Sequence, residues 1–539
     1  MGVKKKIKQG LLQENSRTTN TLFNFVSSVG GEFLTIVVSF IVRTVFIHTL
    51  GKQYLGINGL FSNILSMLSL AEFGVGAAII FKLYEPIAKD DKHRITVLMK
   101  FYKTIYRYIG LVVLILGLIL IPFLPTLVKD YDKLAGMNIN AVVIFLLYLF
   151  RTVASYLFFA YKSAIVKAHQ KEYILTLVSY FFTLLTAFLQ IISLLIYPNF
   201  MIYVGISVAD VIVKNIVCAR ISDKMYPYIN DPTADKVDKK EFFGLLKDCS
   251  ALFIYRLNGV VLKATDNIVL SMFMGLEMVG MYSNYYIFYT TLNTLYSKIY
   301  NSVSHSLGNL HTTGNLKHEY KVYKAVNLIT ALLGGTAGVG LAVCSDEFVR
   351  LWIGESWVIP QPFSILLGVE AATLALRFAV GKYRSTMGLF QQAMYRPLFS
   401  MLINLVLSVL LVKYWGICGV LVGTIAADWL TTMWYDPLII HKYGFRGAFR
   451  PSGYFLRLFA YVAIVAGVGA LDLFICGHFL TGLGWLTVIL HALICLVTVP
   501  TALIGIFYRT EEGRYVWRLI LRYLKKIRKK RKHKNKRKT

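Results

Sequence analysis

Stretches of roughly 20 mostly apolar residues, the length a helix needs to cross the hydrocarbon of a bilayer, recur along the chain between short polar connections. The pattern places spans near residues 21–49, 54–83, 104–128, 139–161, 173–197, 199–219, 243–274, 277–305, 325–344, 357–381, 392–412, 414–438, 452–476 and 483–507. It predicts an all-α polytopic membrane protein of about fourteen transmembrane helices. The longest inner connection, near 220–242, leaves no room for a folded catalytic domain.

Charge gives the spans an orientation, because Lys and Arg collect on the cytoplasmic side of a membrane protein. With the amino terminus inside, inner segments hold 41 of the 58 Lys and Arg and outer loops five (Lys52, Lys129, Lys133, Arg350 and Lys413). Fifteen of the inner ones lie between Arg509 and Lys538, and without them the bias is still 26 to five. Both termini are therefore expected in the cytoplasm. The net charge of +30 then follows from topology and tail, and no nucleic-acid partner is expected. In the tail an amphipathic segment carrying Val516, Leu519, Ile520, Tyr523, Leu524 and Ile527 precedes the run IRKKRKHKNKRKT. That pairing suits a helix lying on an anionic leaflet.

The basic start MGVKKKIKQG leads into the apolar stretch without a small-residue cleavage site, and Lys6 stands where a myristoylation motif wants Ser or Thr. Neither a removed signal peptide nor that lipid anchor is expected. The mean hydropathy of +0.58 agrees with the membrane class. Cys218, Cys249, Cys344, Cys418, Cys476 and Cys495 show no C-x-x-C or Cys/His spacing. They read as small core hydrophobes, and no metal or other cofactor is expected.

An internal repeat divides the spans. Between the first two the chain reads HTLGKQYLGINGLF, and between the seventh and eighth MFMGLEMVGMYSNYY, so that Gly51 and Gly56 match Gly275 and Gly280 at an offset of 224. Two pseudo-symmetric six-helix lobes follow, 21–219 and 243–438. They would be flanked by an amino-terminal segment 1–20, a linker 220–242, two added carboxy-terminal helices in 439–508 and the tail 509–539. A further tight turn, WGICG at Trp415 to Gly419, separates spans eleven and twelve.

The segments VRTVFIHTLGKQYLGINGLFSNILSMLSLAEFGVGAAI and TDNIVLSMFMGLEMVGMYSN, with the order of fourteen spans, resemble the polysaccharide transporters. These oligosaccharide flippases form part of the multidrug, oligosaccharidyl-lipid and polysaccharide exporter superfamily, and the likeness covers nearly the whole chain. The resemblance implies export of undecaprenyl-diphosphate-linked oligosaccharides across a bacterial plasma membrane for capsule, exopolysaccharide or O-antigen assembly. It implies membrane lipids, a polysaccharide polymerase and glycosyltransferases as partners, and no enzymatic activity. The basic tail departs from the family pattern. Other readings are a drug or metabolite antiporter or lipid II flippase of the same superfamily, a membrane polymerase or glycosyltransferase, and a scaffold recruiting enzymes through its tail.

Ionisable groups inside spans are functional candidates, since burying them costs several kcal/mol without a partner or a wet cavity. At 100° per residue, Ser28, Glu32, Ser39 and Arg43 share a face of the first span, and Asn58, Ser62, Ser69 and Glu72 one of the second. Arg151, Ser155 and Lys162 align in the fourth, Arg256, Lys263 and Asn267 in the seventh with Asp266 at the margin, and Glu370 with Arg377 in the tenth. A diphosphate requires cations along its route, and arginine suits it because its planar fork bonds phosphate oxygens bidentately. Arg43, Arg256, Lys263 and Arg151 are the candidates; Arg377 and Lys162 are placed near cytoplasmic ends, where they snorkel. Glu32, Glu72, Asp266 and Glu370 either pair with these cations or couple transport to Na⁺ or H⁺, and Asp210 and Asp428 are further ion candidates. The eighth span sets Tyr282, Tyr286, Tyr289, Asn293, Tyr296 and Tyr300 on one face, suited to sugar stacking or to helix packing. Gly334, Gly335, Gly338 and Gly340 read as a close helix contact rather than a nucleotide loop.

Overall fold

A computed structural model describes residues 17–69, 75–129, 131–136, 140–231, 264–312, 314–519 and 521, with no strand among them. The chain divides into two compact units, Met1–Gly280 and Met281–Thr539.

Unit 1 begins with α1 (Arg17–Leu50), α2 (Lys52–Leu68) and α3 (Val75–Ala88). It continues with α4 (Lys92–Leu120), α5 (Ala141–Leu157), α6 (Ser163–Ala168), α7 (Glu172–Ile196) and α8 (Phe200–Met225). Side chains that accept otherwise orphaned amides set the starts of three of these helices. Asp91 accepts from the Arg94 amide at 2.9 Å, Asn140 from Val143 at 3.1 Å, and Asn199 from Met201 at 2.8 Å. Helix α1 packs on α7, while α5 lies against both α4 and α8. Edge-on aromatic pairs bind α1 to α8 and α2 to α5, with ring centroids of Phe46 and Phe200 at 5.8 Å and of Phe61 and Phe145 at 5.3 Å.

The repeated glycines do two different jobs in this unit. Gly51 and Gly275 turn the chain with φ of 86° and 91°, a region L side chains avoid. Gly56 and Gly280 permit close approach: a Cβ on Gly56 would lie 2.0 Å from the Leu276 carbonyl oxygen, and one on Gly280 2.3 Å from that of Lys52. The two copies of the motif thus pack on one another, and Lys52 Nζ pairs with Glu277 at 3.1 Å across the contact.

Helix α9 (Leu276–Thr312) runs into unit 2, which contains α10 (Leu316–Ile353), α11 (Phe363–Thr386), α12 (Arg396–Leu430), α13 (Thr432–Ile439), α14 (Ser452–Phe479) and α15 (Trp485–Phe507). Its centre is α10, packed on α11, α14 and α15. The glycine run is a helix contact, as expected: a Cβ on Gly338 would sit 2.6 Å from the Gly368 carbonyl oxygen of α11. Helix α12 is a folded-back hairpin. Gly416 has φ 55° and ψ −136°, and the Asn404 amide donates to Thr424 Oγ1 at 2.8 Å, whereas twenty residues of straight helix would hold them about 30 Å apart. The turn lies inside the predicted WGICG.

Among the described residues, eight helical runs are long and apolar enough to cross a membrane, and the bent pair Ala141–Leu157 with Ala160–Ala168 adds a ninth. The count of fourteen is not reached by this measure for identifiable reasons. The α12 hairpin falls in one run of 54 residues. Residues 70–74, within the second expected span, and 232–263, which hold most of the seventh, lie outside the described residues. The tyrosines, asparagines and serines of α9 lower its hydropathy.

Candidate functional site

Within unit 1, α1, α2, α5 and α8 bring two guanidinium groups and two phenols together. Tyr203 on α8 lies in electrostatic range of both Arg43 on α1 and Arg151 on α5, and Tyr148, one turn before Arg151, is in range of Arg151 and Tyr203. The Tyr148 hydroxyl donates to Asn58 Oδ1 on α2 at 2.5 Å. The phenols occupy their positions because the same helices present an aromatic shell: Tyr203 meets Phe46 edge-on at 4.9 Å and stacks near Phe200 at 6.2 Å. Arg151 is half-buried and forms no ion pair or hydrogen bond with any described residue. A cation at that depth without an acid is costly, and such a group can take its counter-charge from a ligand.

The predicted stripe on the fourth span breaks up. Phe159 takes a left-handed φ of 58°, the chain bends by 43° between α5 and the Ala160–Ala168 segment, and Lys162 leaves the face of Arg151. It does not snorkel; it is buried and bonds both oxygens of Asp223, at 2.6 and 2.7 Å. Asp210 is likewise committed, to Lys214 at 3.1 Å and Thr186 at 3.0 Å. Arg256, Lys263 and Glu72, and the side chain of Glu32, lie outside the described residues. Asp266 and Asn267 are buried in the helical stretch 264–274.

Unit 2 contains a ladder of ion pairs that the sequence reading only partly anticipated. Arg377 binds Asp428 at 3.0 Å and donates to the Tyr289 hydroxyl at 3.4 Å, with buried Glu370 in electrostatic range. Arg377 is therefore not a snorkelling residue. Helix α11 runs to Thr386, five residues past the expected end, which places Arg377 deeper in the span. Further along, Arg384 and Arg396 both meet the fully buried Asp436, each at 3.2 Å. The spacing i, i+7, i+14 of Glu370, Arg377 and Arg384 was a usable signal for this face. Nothing in the sequence pointed to Arg396 or Asp436.

The tyrosine face of α9 separates into two parts. Tyr282, Tyr286 and Tyr289 form a ring ladder with neighbouring centroids at 5.3 and 5.1 Å, ending at Arg377. Tyr296 and Tyr300 are packing residues. Tyr296 donates to the Leu333 carbonyl at 3.4 Å, Tyr300 meets Thr330 at 2.5 Å, and both rings lie near Phe378. Asn293 is half-buried between the two parts.

A family described as "Polysaccharide biosynthesis protein" matches residues 21–304, a little over half of the chain. None of the curated protein sequences matches. Among solved structures, lipid II flippase MurJ in an inward closed conformation is similar with a TM-score of 0.62 and 14% identity, over 90% of this chain and 99% of that one. A multidrug resistance MATE family transporter of the MOP superfamily is similar in its inward-facing form, with TM-score 0.57, 12% identity and coverage of 77% and 96%. An outward-facing conformation of a multidrug resistance MATE family transporter of the MOP superfamily gives 0.50, 14%, 80% and 97%. At these identities the likeness concerns the fold.

Proposed function

Because the chain belongs to the family of polysaccharide biosynthesis proteins, we propose that it is a flippase. Its substrate is an undecaprenyl-diphosphate-linked oligosaccharide, carried from the inner to the outer leaflet of a bacterial plasma membrane by alternating access. The observation that carries this reading is Arg151, a cation at membrane depth that pairs with no described acid, borders the phenol of Tyr148 and shares that of Tyr203 with Arg43. A diphosphate moved bare through hydrocarbon would cost on the order of tens of kcal/mol. Guanidinium forks replace its hydration with charge-assisted bonds, and phenolic hydroxyls add neutral donors. Arg256 and Lys263 extend the cationic route in this reading, and Glu32, Glu72, Asp266 and Glu370 balance or couple it. In the Tyr282, Tyr286 and Tyr289 ladder, the partly exposed Tyr286 offers a ring face and hydroxyl to the sugar, with the buried Tyr282 and Tyr289 holding it in place, while the lipid tail stays in the bilayer.

No cofactor is required. Moving about two negative charges outward gains roughly 4.6 kcal/mol per 100 mV where the interior is negative, so the membrane potential drives export unless a coupled Na⁺ or H⁺ cancels it. A lipid II flippase would use the same diphosphate chemistry with a different sugar. The polymerase and glycosyltransferases that consume and supply such a substrate are the expected partners.

The test is export of a fluorescent lipid-linked oligosaccharide in proteoliposomes. Arg43→Gln, Arg151→Gln and Arg256→Gln are compared with the parent, with an inside-negative potential imposed or collapsed. Export that requires the arginines and quickens with the potential is expected. Unchanged export in all three variants would remove the proposed site.

A further inference from the structure

The residues after the last span form a nine-residue helix, 511–519, with two unlike faces. At 100° per residue, Glu512, Gly513 and Val516 fall together on one side. Arg514, Trp517, Arg518 and Leu521 fall within about 100° of one another on the opposite side. The first side is fixed to unit 2. Glu512, 2% exposed, binds Arg457 of α14 at 3.0 Å. Val516 packs on the core that Leu328, Tyr461 and Leu503 build between α10, α14 and α15. At the edge Glu511 takes Lys321 at 3.1 Å and Lys324 as well, and the two lysines hold its carboxyl below the usual carboxylate range.

The opposite face is open. Trp517 is 55% and Leu521 39% exposed. The hydrogen bonds of Arg514 and Arg518 run only from Nε to the carbonyls of Thr510 and Arg514 in their own helix. Charge at this end is unbalanced. Its buried or clamped acids are all engaged: Glu319 by His311, Asp436 by Arg384 and Arg396, Glu511 and Glu512 as above. Lys442, Arg446, Arg450, Arg509, Arg514 and Arg518 are exposed and make no ion pair with described residues. They belong to one end of unit 2, because α14 leaves from residue 452 and the antiparallel α15 returns to Phe507. Exposed Tyr443 and Tyr508 alternate with them. The helix starts four residues after α15 ends, which sets it at headgroup depth, where aromatic rings and arginines together favour the membrane interface.

We propose that the Arg514, Trp517, Arg518 and Leu521 face, with the basic rim beside it, is a binding surface for the headgroups of anionic phospholipids in the adjoining leaflet. The anchored side holds it against that leaflet, and the guanidinium groups supply the charge that a zwitterionic lipid does not match.

The test uses the full chain in lipid nanodiscs and measures energy transfer from Trp517 to dansyl-phosphatidylglycerol or dansyl-phosphatidylcholine, with Trp517→Phe isolating the Trp517 signal. The expected result is a severalfold preference for the anionic probe that falls with salt. Arg514→Gln with Arg518→Gln should weaken it roughly fivefold for each charge lost, while Arg514→Lys with Arg518→Lys should keep it. Equal transfer to both probes, or a preference that survives the glutamine pair, would overturn the proposal.

Discussion

The two units both place guanidinium groups among their packed helices but neutralise them by different means. In unit 2, Arg377 has Asp428, and Arg384 and Arg396 share Asp436, all at 3.0 to 3.2 Å. In unit 1, Arg151 has no described acid and is surrounded instead by Tyr148 and Tyr203. A cation closed by its own acid is a strut, since its charge is spent inside the protein. In the proposed flippase, a cation bordered by phenols keeps its charge for an anion that comes and goes. Arginine content alone therefore does not locate a substrate site; the acids across from each arginine do.

The largest effect should come from opening a strut. Asp436→Asn leaves two buried guanidinium groups facing a neutral amide, and removing one partner of a buried pair costs about 3–5 kcal/mol. Thermal unfolding in nanodiscs should show it. Arg151→Gln should change stability by no more than about 0.5 kcal/mol, or raise it. Equal destabilisation by the two substitutions would erase the contrast between the units.

Transport should reverse the ranking. Losing the charge-assisted bonds of Arg151 should cost about 1.5–3 kcal/mol of substrate binding, which is a tenfold to hundredfold fall in export at limiting substrate. Arg151→Lys should fall between, because a lysine keeps the charge and loses the planar fork. Initial export rates in proteoliposomes separate these outcomes. A lysine variant as slow as the glutamine variant would point to shape rather than charge at this position.

A third measurement isolates a single strut. In a double-mutant cycle on unfolding, Arg377→Gln and Asp428→Asn should show a coupling of about 1–3 kcal/mol. The same cycle with Arg151→Gln and Tyr148→Phe should couple more weakly, since a phenol offers no full counter-charge. Comparable coupling in both cycles would mean that Tyr148 serves Arg151 as an acid serves Arg377.

The helical architecture was legible because it rests on local signals. Apolar length gives the spans, and the glycines of HTLGKQYLG and MFMGLEMVG mark turns that only positive φ allows, at Gly51 and Gly275. The partnership of Gly56 with the Leu276 carbonyl was not legible, because close approach of two backbones leaves no periodic trace. Same-face arithmetic found Glu370 with Arg377, yet misplaced Lys162, whose helix bends at a left-handed Phe159 that sequence does not announce. Pairing across helices was the least readable feature. Asp436 and Arg396 are far apart in sequence and on different faces, and only the fold of α11, α12 and α13 places them at 3.2 Å. Tyr148 and Tyr203 were passed over for a similar reason: a tyrosine in a span is ordinary until a guanidinium is found beside it.

The smallest effect lies where an ion pair is open to water, and it tests whether burial makes the struts strong. Glu511 meets Lys321 and Lys324 much as Asp436 meets two arginines, but its side chain is 46% exposed. Exposed pairs contribute about 0–1 kcal/mol, so Glu511→Gln should lower stability by less than about 1 kcal/mol, against several for Asp436→Asn. The pH response has a definite sign. The lysines lower the Glu511 pKa, so its contribution is full above the ordinary carboxylate pKa and is lost as pH falls through the lowered value. Parent and Glu511→Gln unfolding temperatures should converge on acidification, and added salt should bring them together at neutral pH. Asp436, 0% exposed, should show no comparable salt response. If it did, water would reach the ladder, and the ion pairs of unit 2 would have to be counted with Arg151 of unit 1.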